Sequence, residues 1–132
     1  RIALNTGFER RFAMPLLERI GWIGFAAAVV CGDEVPRGRP APDLIIESMI
    51  RSGCSDASRV SVVGDTRADL EAAVKARVRL AVGVLSGAHD EEQLKTCAHD
   101  AIIPGVTDLP RLLSGTKSVF KPFFSPKKIE NT

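Results

Sequence analysis

Short apolar runs alternate with helical patterns along most of the chain, and this alternation constrains the fold more than any other feature of the sequence. The apolar runs have the length of strands and are continuous, which is typical of strands buried on both faces of a parallel sheet. The segments between them repeat their apolar residues at helical spacing. This order predicts an α/β fold of three layers, in which helices cover both faces of a parallel sheet. The predicted strands are Ile2–Leu4, Ala27–Cys31, Val60–Val63, Leu80–Leu85 and Ala101–Ile103, and the predicted helices are Glu9–Ile20, Asp43–Ile50, Asp69–Lys75, Glu91–Cys97 and Asp108–Leu113.

Charge is distributed unevenly between a body and a tail. Residues 1–110 carry 13 basic and 15 acidic side chains, whereas residues 111–132 carry five basic and one acidic. We therefore expect one globular domain over residues 1–113 and a basic, flexible tail over residues 114–132, where Gly, Ser, Pro and Lys follow no period. Because the body is slightly acidic and nucleic-acid-binding faces are basic, we expect no nucleic-acid partner.

The sequence predicts neither a membrane-spanning helix nor a zinc site. Its longest apolar run, residues 22–31, is about half of the roughly 20 residues that a bilayer-spanning helix needs. Three widely spaced cysteines without a signal-peptide pattern predict free thiols and a cytoplasmic location. The two histidines share no ligand spacing with the cysteines. Because the chain begins at Arg1 rather than at methionine, we also expect it to be a piece of a longer protein.

Polar residues follow three of the predicted strands, at the edge of a parallel sheet where ligands bind. Thr6 and Gly7 follow the first strand, Arg39 lies in the loop after the second, and Asp65 follows the third, with Asp69 one helical turn later. Two carboxylates at this place suit Mg²⁺, which takes one or two protein carboxylates together with waters and a phosphate. A threonine hydroxyl, neighbouring backbone N–H groups and a guanidinium can bind a phosphate. These are parts of a phosphoryl-transfer site, without a nucleophile.

Each of these residues also has a purely structural interpretation. An acidic residue such as Asp69 at the start of a helix often serves as a cap. Thr6 could be a turn residue, and Arg39 could be an exposed loop residue. Asp65 has the fewest structural explanations, because there are few structural reasons for a carboxylate directly after a buried apolar strand. The combination of three compatible strand ends favours the functional interpretation.

Three stretches in this order resemble motifs of the haloacid dehalogenase superfamily, the hydrolases that use an aspartate nucleophile. Residues 2–7, Ile-Ala-Leu-Asn-Thr-Gly, resemble its second motif; residues 38–43, Gly-Arg-Pro-Ala-Pro-Asp, resemble its third; and residues 64–72, Gly-Asp-Thr-Arg-Ala-Asp-Leu-Glu-Ala, resemble its fourth. Arginine instead of lysine in the third motif is similar to the phosphonoacetaldehyde hydrolase-like (phosphonatase-like) subgroup, and so are residues 82–89. The resemblance covers residues 1–113.

The resemblance implies a Rossmann-like core and an activity. The activity would be Mg²⁺-dependent hydrolysis of a small phosphate ester or phosphonate through an aspartyl-phosphate intermediate. Thr6 and Gly7 would bind the phosphate. Thr6 and Arg39 would be the catalytic residues of this chain, with Arg39 also binding phosphate. Asp65 would bind Mg²⁺, and Asp69 would support the metal directly or through water.

The chain departs from the family pattern at the nucleophile. No Asp-x-Asp string occurs in the 132 residues. In the family this motif precedes the threonine motif, so the resemblance implies a core that is incomplete at its N-terminus and inactive by itself. The missing strand would lie between the strand bearing Thr6 and the strand ending at Asp65, which predicts a seam there, either closed by direct pairing or left marginal. Arg77 replaces a glycine of the family at a helix end where left-handed backbone is expected.

Two other classes of function are alternatives to a hydrolase. A non-catalytic remnant could bind phosphate, Mg²⁺ or a protein partner with the same residues. A receiver-like signalling domain also uses aspartates at strand ends, but the acidic pair near its first strand and the lysine after a late strand are missing. No G-x-G-x-x-G or G-x-x-x-x-G-K string is present, which argues against dinucleotide-binding and P-loop proteins.

Overall fold

The computed structural model describes residues 1–115, where strands and helices alternate in the predicted order. All ten predicted elements are present, with ends shifted by a few residues. The strands are β1 (Ala3–Asn5), β2 (Ala28–Val30), β3 (Ser61–Gly64), β4 (Leu80–Val84) and β5 (Ala101–Ile103). The helices are α1 (Arg10–Arg19), α2 (Asp43–Arg51), α3 (Arg67–Lys75), α4 (Glu91–Lys95) and α5 (Leu109–Gly115). The predicted tail lies outside the described residues except for Ser114 and Gly115, which belong to α5.

All strand pairs are parallel, but the described strands form two separate sheets. β1 pairs with β2, and β4 lies between β3 and β5. β1 and β3 are not hydrogen-bonded to each other, so the predicted seam is not closed by direct pairing. Both strands are half-buried along their whole length, whereas every residue of β4 is buried. The seam therefore leaves one edge of each sheet open.

Two apolar clusters lie on opposite faces of the β3–β4–β5 sheet, which confirms the three-layer α/β fold. Helix α3 packs on one face, where Leu70 is fully buried, and Ile45 of α2 joins the same cluster. On the other face, α5 packs against a cluster that includes Val82. Complete burial of a leucine side chain contributes about 1.5–3 kcal/mol. Because α2 also packs on β1 and β2, this helix connects the two sheets.

Helix α1 differs from the others because its apolar stripe is exposed. Phe12, Leu16 and Ile20 follow one another at intervals of four, the spacing of a buried face, yet each is more than half exposed. Ala13 is the one residue of α1 that is buried. No element among residues 1–115 covers the stripe.

Two details of α3 follow from local backbone chemistry. The helix begins two residues before the predicted position because Thr66 is its N-cap, with its side chain accepting the Asp69 N–H. Just beyond its end, Arg77 has a φ of 57°, which is the left-handed conformation expected at this position. An L-amino acid other than glycine adopts this region at a steric cost.

Candidate active site

The guanidinium of Arg39 links the ends of two strands that do not pair. Its Nε lies 2.8 Å from Asp69 Oδ1, and its Nη2 donates to the Asn5 carbonyl oxygen at 3.1 Å and to the Asn5 side-chain oxygen. Both members of the ion pair are largely buried, with side-chain exposures of 25% for Arg39 and 11% for Asp69. The loop between β2 and α2 thus brings its arginine to the carboxyl ends of β1 and β3.

Both carboxylate oxygens of Asp69 contact other residues of the protein. Oδ1 receives Arg39, whereas Oδ2 accepts the Thr66 hydroxyl at 2.7 Å and the backbone N–H groups of Thr66 at 2.9 Å and Asp65 at 3.2 Å. A Cβ on Gly64 would lie 2.2 Å from the Asp69 Cβ, so only glycine leaves room for this approach. The capping interpretation of Asp69 is therefore confirmed, and the same carboxylate is also the counter-ion of Arg39.

Asp65 lies directly after β3 and is held by the loop that follows β4. Its Oδ2 accepts the Ala88 N–H at 2.8 Å, and its carbonyl oxygen accepts the His89 N–H at 3.2 Å. Within residues 1–115 no hydrogen bond is found to Asp65 Oδ1. One oxygen of this carboxylate is therefore fixed by the protein, and the other is available to a ligand.

Thr6 and Gly7 form the turn at the end of β1. The Thr6 N–H donates to the Val30 carbonyl oxygen at 3.0 Å, and the Thr6 hydroxyl accepts the Phe8 N–H at 3.1 Å. A Cβ on Gly32 would lie 2.4 Å from the Gly7 carbonyl oxygen, so the turn packs directly on backbone. Thr6 adjoins Asn5, and therefore the same strand end as Arg39.

Of the predicted site residues, the structure joins Arg39 and Asp69 by direct contact. Among residues 1–115, Thr6 and Asp65 make no hydrogen bond or ion pair with Arg39. They are its neighbours through the chain: Thr6 follows Asn5, and the Asp65 N–H binds the partner carboxylate of Arg39. Arg39 and Asp69 thus form a direct contact, to which Thr6 is linked through Asn5 and Asp65 through its backbone N–H.

The loop that presents Arg39 is anchored at both ends by ion pairs. At its start, Glu34 accepts Arg10 Nε at 2.9 Å, and this hydrogen bond is the main reason that the pKa of Glu34 is lowered to about 2. At its end, Arg37 pairs with Asp43 at 2.8 Å and lowers the pKa of that carboxyl. These contacts hold the loop against α1 and α2.

Two parts of the candidate site were not predicted from the sequence. Asn5 precedes Thr6 and anchors Arg39 through its carbonyl and side-chain oxygens. The segment Ala88-His89 holds Asp65. An amide in an otherwise apolar strand was the available signal for Asn5, whereas the contact to Asp65 joins residues 23 apart and has no local signature.

Within residues 1–115, no three side chains of the His, Cys, Asp or Glu type lie together as a metal-binding group. The carboxylate with an available oxygen at the strand ends is that of Asp65. In the same part of the chain, no helix is long and apolar enough to cross a membrane.

A comparison with known protein families identifies the family to which this chain belongs. The haloacid dehalogenase-like hydrolase family matches residues 1–83, and the chain therefore belongs to that family. A phosphonoacetaldehyde hydrolase-like protein from Oleispira antarctica superposes with a TM-score of 0.74 at 22% identity, over 86% of this chain and 50% of that structure. The Rossmann-like core implied by the sequence motifs is confirmed.

Two curated relatives show how much of a family member this chain represents. It is 31% identical over 103 residues to the N-acetylmuramic acid 6-phosphate phosphatase of Pseudomonas aeruginosa, an alignment covering 78% of this chain and 43% of the relative. It is 40% identical over 62 residues to the phosphonoacetaldehyde hydrolase of Parabacteroides distasonis, covering 47% of this chain and 23% of that protein. The chain thus spans less than half the length of these relatives.

Proposed function

We propose that this chain supplies the phosphate- and metal-binding part of a Mg²⁺-dependent hydrolase for small phosphate esters or phosphonates. The proposal depends on the contacts of Arg39. Its side chain connects the strand end bearing Thr6 with the helix start bearing Asp69. The relatives support the substrate class, because one is named for a sugar-acid phosphate and the other for a phosphonate. The arginine of the third motif favours the phosphonatase-like subgroup.

Phosphate would bind between Thr6, Gly7 and Arg39. The Thr6 hydroxyl and the backbone N–H of Gly7 are hydrogen-bond donors suited to phosphate oxygens. Among the described residues, Arg39 Nη1 donates no hydrogen bond, whereas Nε and Nη2 contact Asp69 and Asn5. The guanidinium is therefore oriented by two of its nitrogens and can donate to phosphate from the third.

The donors at the strand ends fit Mg²⁺, a hard cation that uses one or two protein carboxylates and fills its other positions with waters and phosphate oxygens. Asp65 would hold it through Oδ1, the oxygen without a hydrogen bond in the described chain. Asp69 would support the site by orienting the Asp65 backbone and Arg39, since its own oxygens are engaged. When bound, the ion would neutralise phosphate charge.

The nucleophile would come from a strand that lies in the seam between β1 and β3. The Thr6 N–H points to β2, where it binds the Val30 carbonyl oxygen. Alternate residues of a strand direct their backbone groups to opposite edges. The Asn5 carbonyl oxygen therefore points to the other edge of β1, where it accepts a hydrogen bond from Arg39. Apart from this contact, β1 has no strand partner on that edge among residues 1–115, which supports a further strand there, carrying the aspartate that would form the aspartyl-phosphate intermediate. Without it, we expect no turnover.

Arg37 and Arg39 provide a matched test of phosphate binding. Inorganic phosphate with Mg²⁺, titrated into the isotope-labelled chain, should shift the amide signals of Thr6 and Gly7. Arg39→Ala should weaken this binding at least about tenfold, the equivalent of 1.4 kcal/mol for a charge-assisted contact. Arg37→Ala should weaken it less than about twofold, because the Arg37 side chain is exposed and its ion pair with Asp43 contributes little to holding the loop. Equal effects of the two substitutions would contradict the proposed phosphate site. Robust Mg²⁺-dependent phosphatase activity of the chain alone would contradict the proposal that it lacks a nucleophile.

A non-catalytic binding protein is the second candidate, and the absence of any Asp-x-Asp string from the 132 residues favours it. A chimera separates the two functions. The N-terminal part of the Parabacteroides distasonis relative, fused ahead of this chain, would add the missing motif to the same strand ends. Turnover that is lost with Arg39→Ala supports a catalytic half. Retained phosphate binding without turnover supports the binding protein.

A further inference from the structure

The loop after β4 closes over Asp65 and touches it through three consecutive residues. The Ala88 N–H donates to Asp65 Oδ2 at 2.8 Å, and the His89 N–H donates to the Asp65 carbonyl oxygen at 3.2 Å. A Cβ on Gly87 would lie 2.2 Å from Asp65 Oδ2, so the loop backbone is in direct contact with the carboxylate. The position of this loop therefore determines how the Asp65 side chain is turned.

The imidazole ring of His89 connects the same loop to the start of α3. Its Nδ1 accepts a hydrogen bond from the backbone N–H of Arg67, the first residue of the helix, at 3.1 Å. The first N–H groups of a helix have no partner within the helix, and a side-chain acceptor satisfies one of them. A ring nitrogen that accepts a hydrogen bond does so through its lone pair, so Nδ1 is the acceptor atom in this contact.

His89 thus holds both sides of the turn at residues 65–67. Its main-chain N–H binds the carbonyl oxygen of Asp65, two residues before the helix, and its ring binds the first residue of the helix. His89 is half-buried, whereas residues 85–88 are exposed. Without the ring contact, an exposed loop would be held to Asp65 by its backbone hydrogen bonds alone, and the carboxylate would be less well oriented.

We propose that His89 is a positioning residue that orients Asp65 toward a divalent cation. The proposal rests on the metal-binding role proposed for Asp65. His89 contacts neither the cation nor the phosphate; it keeps the Ala88 N–H on Oδ2, and Oδ1 stays available for the ion. Removing a group that orients a metal ligand typically weakens metal binding about ten- to a hundredfold. Because His89 acts through Ala88, we expect a loss of about tenfold.

Asparagine and glutamine distinguish the position of the acceptor from its chemistry. The amide oxygen of asparagine can occupy the place of Nδ1, whereas that of glutamine lies one methylene farther along, near the place of Nε2. His89→Asn should therefore keep the hydrogen bond to the Arg67 N–H, and His89→Gln should lose it. His99→Gln is the matched control, because the His99 ring contacts the Cys97 carbonyl oxygen rather than the site.

Mn²⁺ is the probe, titrated into the isotope-labelled full chain, and paramagnetic broadening of the amide signals of residues 64–67 measures its affinity. We expect the wild type, His89→Asn and His99→Gln to bind alike, and His89→Gln to bind about tenfold more weakly. Without metal, hydrogen exchange of the Arg67 amide should be faster in His89→Gln than in His89→Asn. This second measurement reports the hydrogen bond itself.

The outcomes separate His89 from Asp65. If His89→Gln binds Mn²⁺ like the wild type while Asp65→Asn abolishes binding, the role of His89 is wrong and that of Asp65 stands. If His89→Asn loses as much affinity as His89→Gln, an acceptor at Nδ1 is not what matters and the proposal is also wrong. If the wild type shows no broadening, or Asp65→Asn does not reduce it, the metal site and the role of His89 both fail.

Discussion

Glu34 fastens the loop that presents Arg39, and replacing it by glutamine tests how that loop is held. Its carboxylate accepts hydrogen bonds from Arg10 at 2.9 and 3.1 Å, from Arg51 at 3.2 Å and from the Cys31 N–H at 2.7 Å. The Arg10 hydrogen bond is the largest cause that lowers the pKa of Glu34 from 4.5 to about 2, with burial acting in the opposite direction. The ionised form is therefore strongly favoured by folding.

The lowered pKa of Glu34 gives the size of its contribution to the free energy of folding. Each pKa unit corresponds to about 1.4 kcal/mol, so the fall from 4.5 to about 2 corresponds to about 3 kcal/mol of folding free energy. The Arg10 side chain is 40% exposed, and solvent screening reduces this to about 2 kcal/mol. Because the folded-state pKa lies below the unfolded one, the stabilisation is complete above pH 4.5 and is lost as the pH falls toward about 2.

Urea unfolding of the wild type and of Glu34→Gln, at neutral pH and then at successively lower pH, measures this contribution. We expect the variant to lose about 2 kcal/mol at neutral pH, and the difference to shrink as the pH approaches about 2. Glu9→Gln is the control, because the Glu9–Arg11 pair is exposed and should contribute less than about 0.5 kcal/mol. A Glu34→Gln protein as stable as the control variant, or a difference that persists unchanged in acid, would refute the reasoning.

Three further substitutions, one of them with a matched control, test local features of the fold in the same unfolding assay. Arg77→Gly should raise the free energy of unfolding by about 1 kcal/mol, because Arg77 has a φ of 57° that glycine adopts without steric cost; a loss of stability would contradict this backbone conformation. Gly87→Ala should cost about 1–3 kcal/mol because its Cβ would overlap the Asp65 carboxylate, whereas Gly38→Ala, with nothing within 4 Å of the new Cβ, should stay within about 0.5 kcal/mol. Leu70→Ala should cost about 3 kcal/mol, since Leu70 is fully buried, and a loss below about 1 kcal/mol would contradict the packing of α3 on the sheet.

Local signals predicted most of the fold but not the environment of every helix. Helix α3 begins at Arg67, two residues before the predicted Asp69, because Thr66 caps it. The periodicity of apolar residues does not reveal the first turn of a helix. The stripe of Phe12 and Leu16 on α1 has the spacing of a buried face, but the structure leaves it exposed. Spacing shows that a helix has an apolar side, and only the surrounding elements decide whether that side is covered.

At the candidate site, the sequence identified the residue types and their strand ends, but not their partners. Asp69 illustrates the difference, because its capping of α3 involves residues three and four positions away, within reach of local reasoning. Its ion pair with Arg39 joins a helix residue to a loop residue 30 positions away, and depends on how α2 connects the sheets.

The sequence by itself determined the order of strands and helices, the parallel α/β architecture and the carboxyl-end location of Thr6, Arg39 and Asp65. These follow from short-range periodicity and from the geometry that all parallel sheets share. The tertiary structure decided that β1 and β3 stay unpaired, that Asn5 anchors the arginine, and that the loop after β4 holds Asp65. Those contacts depend on which strand edges and loops become neighbours in space, and the local pattern of a chain does not encode that.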